Sequence, residues 1–191
     1  MNTLRLLFIF CFLTISKKCY TQDLLLKDLD NDTIKDEILF DRKNSQIICK
    51  LSSQNSLPIK SKKLDDLNDA SGIELTKNGF QFYNHSMRSG YYCQFRYNTT
   101  QNKIELIGMS RYNDGNAAQD GSGESSVNLL THQYIGEWIR VDLKLKKRIK
   151  IPTIKKPYTT NKVYLQQFSV KQPDDFVEFC DNIRNKMVHR I

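Results

Sequence analysis

The sequence predicts a mainly β fold of the α+β class: an antiparallel meander or sandwich-like sheet closed by a C-terminal amphipathic helix. Two observations carry this. Short runs of alternating apolar and polar residues recur from Leu24 to Leu145, divided by turns rich in Asn, Asp, Gly and Ser. Apolar residues spaced by three and four appear only after Pro173, where Phe176, Phe179, Cys180 and Ile183 make one helical stripe.

The elements follow in order. Asp23 to Lys27 is a short apolar strand that enters the acidic stretch Asp28 to Asp36, and Glu37 to Phe40 resumes the extended pattern. Further strands are predicted at Gln46 to Leu51, Gly79 to Asn84, Tyr91 to Asn98 and Lys103 to Ser110, the last two joined by the turn Asn98 to Asn102. Tyr112 to Ser126 reads as a long loop. Ser126 to Leu130 and Trp138 to Leu145 read as strands again. In residues 144–157, basic and apolar residues alternate, and Pro152 and Pro157 exclude a central strand, so an edge strand or an extended arm is expected. Pro173, Asp174 and Asp175 open a helix over 173–188, the proline tolerated in the first turn and the acids facing the positive end of the dipole.

Residues 1–22 have the three-part pattern of an export signal. Arg5 precedes the apolar run Leu6 to Ile15, and the polar stretch Ser16 to Gln22 follows it. The run is shorter than the roughly 20 residues that span a bilayer. Residues 23–191 then form one exported domain, periplasmic or secreted, with no integral membrane segment. The whole chain carries 29 basic and 21 acidic side chains, a formal +8. Cleavage would remove Arg5, Lys17 and Lys18, leaving a mild excess that does not amount to a nucleic-acid signature.

The densest chemistry lies in Asp28, Asp30, Asp32, Ile34 and Asp36. Carboxylates at positions 1, 3, 5 and 9, with a backbone carbonyl at 7, match a calcium loop, because calcium takes six to eight oxygens and alternate residues of a tight loop supply them from one side. Thr33 stands where such loops carry glycine, and Leu39 where a bidentate glutamate is usual. The stretch DLDNDTIKDEILF resembles the Asp-rich strand-turn-strand repeat of exported bacterial proteins of the FG-GAP/VCBS type, and that resemblance implies a structural calcium ion. It covers Leu24 to Asp41 only. IELIGMSRYNDG and SGESSVNLLTHQYIGEW resemble stretches of poorly characterised exported proteins of Bacteroidetes-like bacteria, which imply no activity.

Lys146, Lys147, Arg148, Lys150, Lys155 and Lys156 form a basic patch suited to a protein or anionic glycan partner. Cys49 and Cys93 fall on apolar strand faces, as buried thiols or as a disulfide that an oxidising compartment permits. Phe82 and Tyr83 cannot share a face, nor can Tyr91 and Tyr92, so one of each pair is free to stack on a sugar or a partner. No histidine pair has metal spacing, and no serine has an identified base. The expected function is therefore a non-enzymatic binding module, of inhibitor or immunity type. The alternatives are a cell-wall or polysaccharide hydrolase using Asp120, Glu124 or His132, and a calcium-stabilised surface protein.

Overall fold

A computed structural model describes residues 23–142 and 144–188; the expected export signal lies outside them. The chain first builds a four-stranded antiparallel sheet in the order β1-β2-β3-β4, from β1 (Asp23–Lys27), β2 (Asp36–Asp41), β3 (Gln46–Lys50) and β4 (Pro58–Lys60). Side chains of a strand alternate between faces. Ile38 and Phe40 of β2 and Ile47 and Cys49 of β3 are thereby directed inward and are almost wholly buried.

A second meander follows: β5 (Ser71–Thr76), β6 (Gly79–His85), β7 (Ser89–Asn98), β8 (Lys103–Asn113), β9 (Gly123–Asn128), β10 (Gln133–Asp142) and β11 (Lys147–Lys150), each antiparallel to the next. The last strand, β12 (Ile154–Pro157), returns to β10 and pairs with Gln133 to Gly136, while β11 pairs with Ile139 to Asp142. The basic stretch is thus two short strands sharing one edge of β10, where lysines also discourage pairing with another chain.

One face of this large sheet is covered by helix α1 (Lys171–Val188). Phe176 and Cys180 are fully buried and Ile183 nearly so. Tyr134 and Tyr158 meet the rings of Phe176 and Phe179 edge to face. Arg111, only 4% exposed, donates to the carbonyl of Val177 at 3.1 Å and to Asp181 at 2.9 Å, with its guanidinium over the Trp138 ring. The two sheets share one core, in which Phe40 packs on Phe82 and Phe168 meets both Phe82 and Phe95. At the seam, Arg42 reaches from β2's end to Asp23 at 3.0 Å and to the carbonyl of Ser71 at 2.6 Å.

Several boundaries differ from those read in the sequence. Strands β4 and β5 were not expected, β9 begins at Gly123 rather than Ser126, and β10 begins at Gln133 rather than Trp138. In the last case the turn that ends β9 is local: the Asn128 side chain accepts from the amides of Leu130 and Thr131, and His132 takes a positive φ of 55°. Cys49 and Cys93 are free thiols, so the disulfide that the sequence allows is not formed. They approach the core from different sheets, each fitted among apolar neighbours, and burial pushes both thiols up, away from the reactive thiolate.

Candidate functional site

The acidic loop joins β1 to β2. Asn31 and Thr33 adopt left-handed backbone, with φ of 64° and 73°, which folds the alternate carboxylates back toward one another. Asp36, 1% exposed, is its anchor: one oxygen accepts from the Leu29 amide at 2.8 Å, the other from the Ser52 amide at 2.8 Å and the Ser52 hydroxyl at 3.0 Å. Asp28 accepts from the Thr33 amide at 3.0 Å through Oδ2, while its Oδ1 is buried without a hydrogen-bond partner. Oxygens of Asp28, Asp30 and Asp36 lie within 4.8 Å of one another.

Three of the five sequence-predicted ligands therefore converge. Asp32 instead turns to the Ser52 hydroxyl at 2.6 Å and the Ile34 amide at 2.8 Å, and these bonds, the hydroxyl's first, hold its carboxyl below the usual range. Ile34 presents an exposed side chain. Ser52 and Ser53, the latter bonded to Asp30, are partners that the sequence reading missed. They arrive from a 3₁₀ turn after β3, and nothing in their local sequence marks them. Three carboxylates around an unpaired buried oxygen suit a hard cation with oxygen ligands, the chemistry of calcium.

The second candidate is the face of the large sheet opposite α1. Because Phe80, Phe82, Cys93, Met109, Val127, Tyr134 and Trp138 point to the core, the intervening residues point away from it. The strand register sets them in rows. One row runs His85, Gly90, Tyr112, Glu124, Glu137; the next runs Tyr83, Tyr92, Ser110, Ser126, Ile135. His85 is the hub of the aromatic part, with ring centroids 4.9 Å from Tyr83, 5.1 Å from Tyr92 and 5.7 Å from Tyr112, and its Nδ1 is 2.9 Å from the Tyr112 hydroxyl. Gly90 makes this closure possible, since a Cβ there would stand 2.7 Å from the Tyr112 ring.

Beside the aromatic rings is a cavity of about 360 Å³ lined by Tyr92, Ser110, Tyr112, Glu124, Ser126, Ile135 and Glu137, with the buried Arg111 and Ser125, engaged by Asp181 and Tyr134, at its base. A smaller hollow of about 240 Å³ shares Ser110 and Ser126 and continues over Gly108 along the β8–β9 seam. Glu137 is engaged by Lys150 at 2.7 Å and by the Thr153 hydroxyl at 3.1 Å, and Lys150 above all holds its carboxyl below the usual range. Glu124, directly opposite Glu137, is exposed and forms no ion pair among the described residues. Partial burial, with Tyr112 and Glu74 next in weight, pushes the Tyr92 phenol up.

Asp120, Glu124 and His132 do not meet. Asp120 accepts from the Val141 amide at 2.7 Å, Glu124 faces Glu137, and His132 lies in the turn before β10. Of the basic patch, Lys147, Arg148 and Lys150 lie in β11 and Lys155 and Lys156 in β12, with Lys146 in the turn before them at φ 50°. Lys150 is neutralised by Glu137, so the patch is smaller than the sequence suggests. Tyr83, His85, Tyr92, Tyr112 and Glu137 were not grouped in the sequence reading; the signal was the paired aromatics, one of each facing outward. Comparison of the chain with protein-family models, with curated proteins and with solved structures found no match.

Proposed function

We propose that this chain is an exported, non-catalytic binding module that takes a protein partner on the open face of its large sheet, in the manner of an inhibitor or immunity protein. The observation that carries this reading is the cavity at Tyr92, Tyr112, Glu124 and Ser126, on a face to which α1 contributes nothing. A concave surface with aromatic walls and a few converging polar groups is the usual form of a binding site. Its outward-facing side chains, Tyr92, Tyr112, Glu124 and Ser126, can be altered without opening the core.

A hydrolase is less well supported. A general acid acting at neutral pH is ordinarily a carboxyl raised by burial. Glu124 and Glu137 are both exposed, and Glu137 is held ionised by Lys150. The test is a screen of peptide and glycan arrays with the wild-type chain and with the Tyr92→Ala/Tyr112→Ala double variant. Binding to peptide elements that the double variant loses, while its melting temperature stays within a few degrees of wild type, supports the reading. Retention of glycans alone, or binding that the two changes leave intact, overturns it.

Calcium in the β1–β2 loop is proposed as a structural ion of the same module. Asp28, Asp30 and Asp36 would hold it, and the unpaired Oδ1 of Asp28 is the observation that favours it.

A further inference from the structure

Resting on the reading of the open face as the contact surface, we infer that its cavity seats a single cationic side chain, the guanidinium or ammonium group of an arginine or lysine of the partner. The lining supplies both halves of the chemistry. Tyr92 and Tyr112 present phenol rings, whose electron-rich faces attract cations within about 6 Å of the ring centroid. Glu124 lies directly across from Tyr112 in the strand register and brings a carboxylate that no cation of the described residues engages.

The balance of charge within the cavity fixes the sign of the ligand. Among the lining residues, Glu137 is cancelled by Lys150 at 2.7 Å and Arg111 by Asp181 at 2.9 Å, so the charge left without a partner is that of Glu124. A neutral ligand covering Glu124 would strip water from a carboxylate and leave it unpaired, which costs more than the contact returns. An anion would meet Glu124 directly. A divalent metal would find one free carboxylate where calcium requires six to eight oxygens.

The same balance limits the ligand to one charge. With Lys150 held by Glu137, Lys155 stands opposite Ile135 at the β10 edge of the face as a cation in no ion pair among the described residues. A polycation would be repelled by it, whereas one extended side chain can pass beside it and be bound by contact. Gly108, Ser110 and Ser126 floor the approach with small groups, leaving room for an aliphatic stem along the β8–β9 seam.

The probe is N-acetyl-arginine methylamide, titrated into the full chain and followed by backbone amide NMR, with the isosteric, uncharged citrulline compound as control. Saturable shifts at Tyr92, Ser110, Tyr112 and Ser126 are expected with the arginine compound, weakened at least about fivefold by Glu124→Gln and absent with citrulline. Equal binding of the two compounds, no saturable shift, or indifference to Glu124→Gln overturns the inference. A peptide from the array screen that needs Tyr92 and Tyr112 but not Glu124 would sink this inference alone and leave the open face standing as the contact surface.

Discussion

Asp36 is almost wholly buried, and three donors from two parts of the chain converge on its carboxyl oxygens. Removing it strands the Leu29 and Ser52 amides, while the Ser52 hydroxyl keeps Asp32 as an acceptor at 2.6 Å. Each buried group left without a partner costs about 1–3 kcal/mol. Asp36→Ala should therefore lower unfolding free energy by about 3 kcal/mol, read from urea denaturation in the presence of chelator. Asp36→Asn, which keeps one acceptor oxygen, should lower it by about half as much. A loss below about 1 kcal/mol for the alanine variant would mean that the loop stands without this anchor. The sequence made Asp36 legible as the last carboxylate of a calcium-type loop, but not as a hydrogen-bond hub. Its partner Ser52 is sixteen residues away in the chain, and a serine in a polar stretch carries no mark of what it will meet.

The helix and the edge strands β4 and β5 were legible to different degrees for a physical reason. In α1 Pro173, the first-turn acid Asp174 and the apolar stripe all fall within one continuous segment, so local chemistry and burial agree. Strands β4 and β5 hold few apolar residues, and their pairing is decided by neighbours distant in sequence, so the period-two signal is weak. The open face escaped for the same reason: each strand contributes one or two of its residues, and only the register brings Tyr92, Tyr112 and Glu124 side by side. The helix in turn is held by two kinds of contact that substitution can separate. Phe176→Ala removes a fully buried ring packed on Tyr134 and Tyr158, and such truncations cost about 3–5 kcal/mol. Arg111→Ala removes the guanidinium that ties Val177 and Asp181 to the sheet. Asp181 is 39% exposed on its side chain and recovers hydration, so a smaller loss, about 1–3 kcal/mol, is expected. Chemical denaturation of the two variants checks the order. An Arg111 variant less stable than the Phe176 variant would place polar docking above packing.

At the scale of the molecule, the acidic loop and the chain's one tryptophan lie in different sheets: the loop in the small one, Trp138 in β10 of the large one. The interior is continuous between them, through Phe40, Phe82 and Phe168, and the seam is tied by Arg42. A core shared in this way should unfold as a unit, so an ion bound at one end must protect the other. Calcium that binds only the folded chain adds about 2.7 kcal/mol at a hundred times its Kd. For a domain of this size that corresponds to roughly 5–10 °C. Trp138 fluorescence should therefore report a higher melting temperature in calcium than in chelator, although the tryptophan belongs to the other sheet. Asp28→Asn/Asp30→Asn should abolish the difference without altering the melt in chelator by more than a few degrees. Identical wild-type melts in calcium and chelator would remove the ion from the molecule. A rise seen by far-ultraviolet circular dichroism but not by Trp138 would keep the ion and divide the fold, since stabilisation would then stop at the Arg42 seam instead of crossing the core.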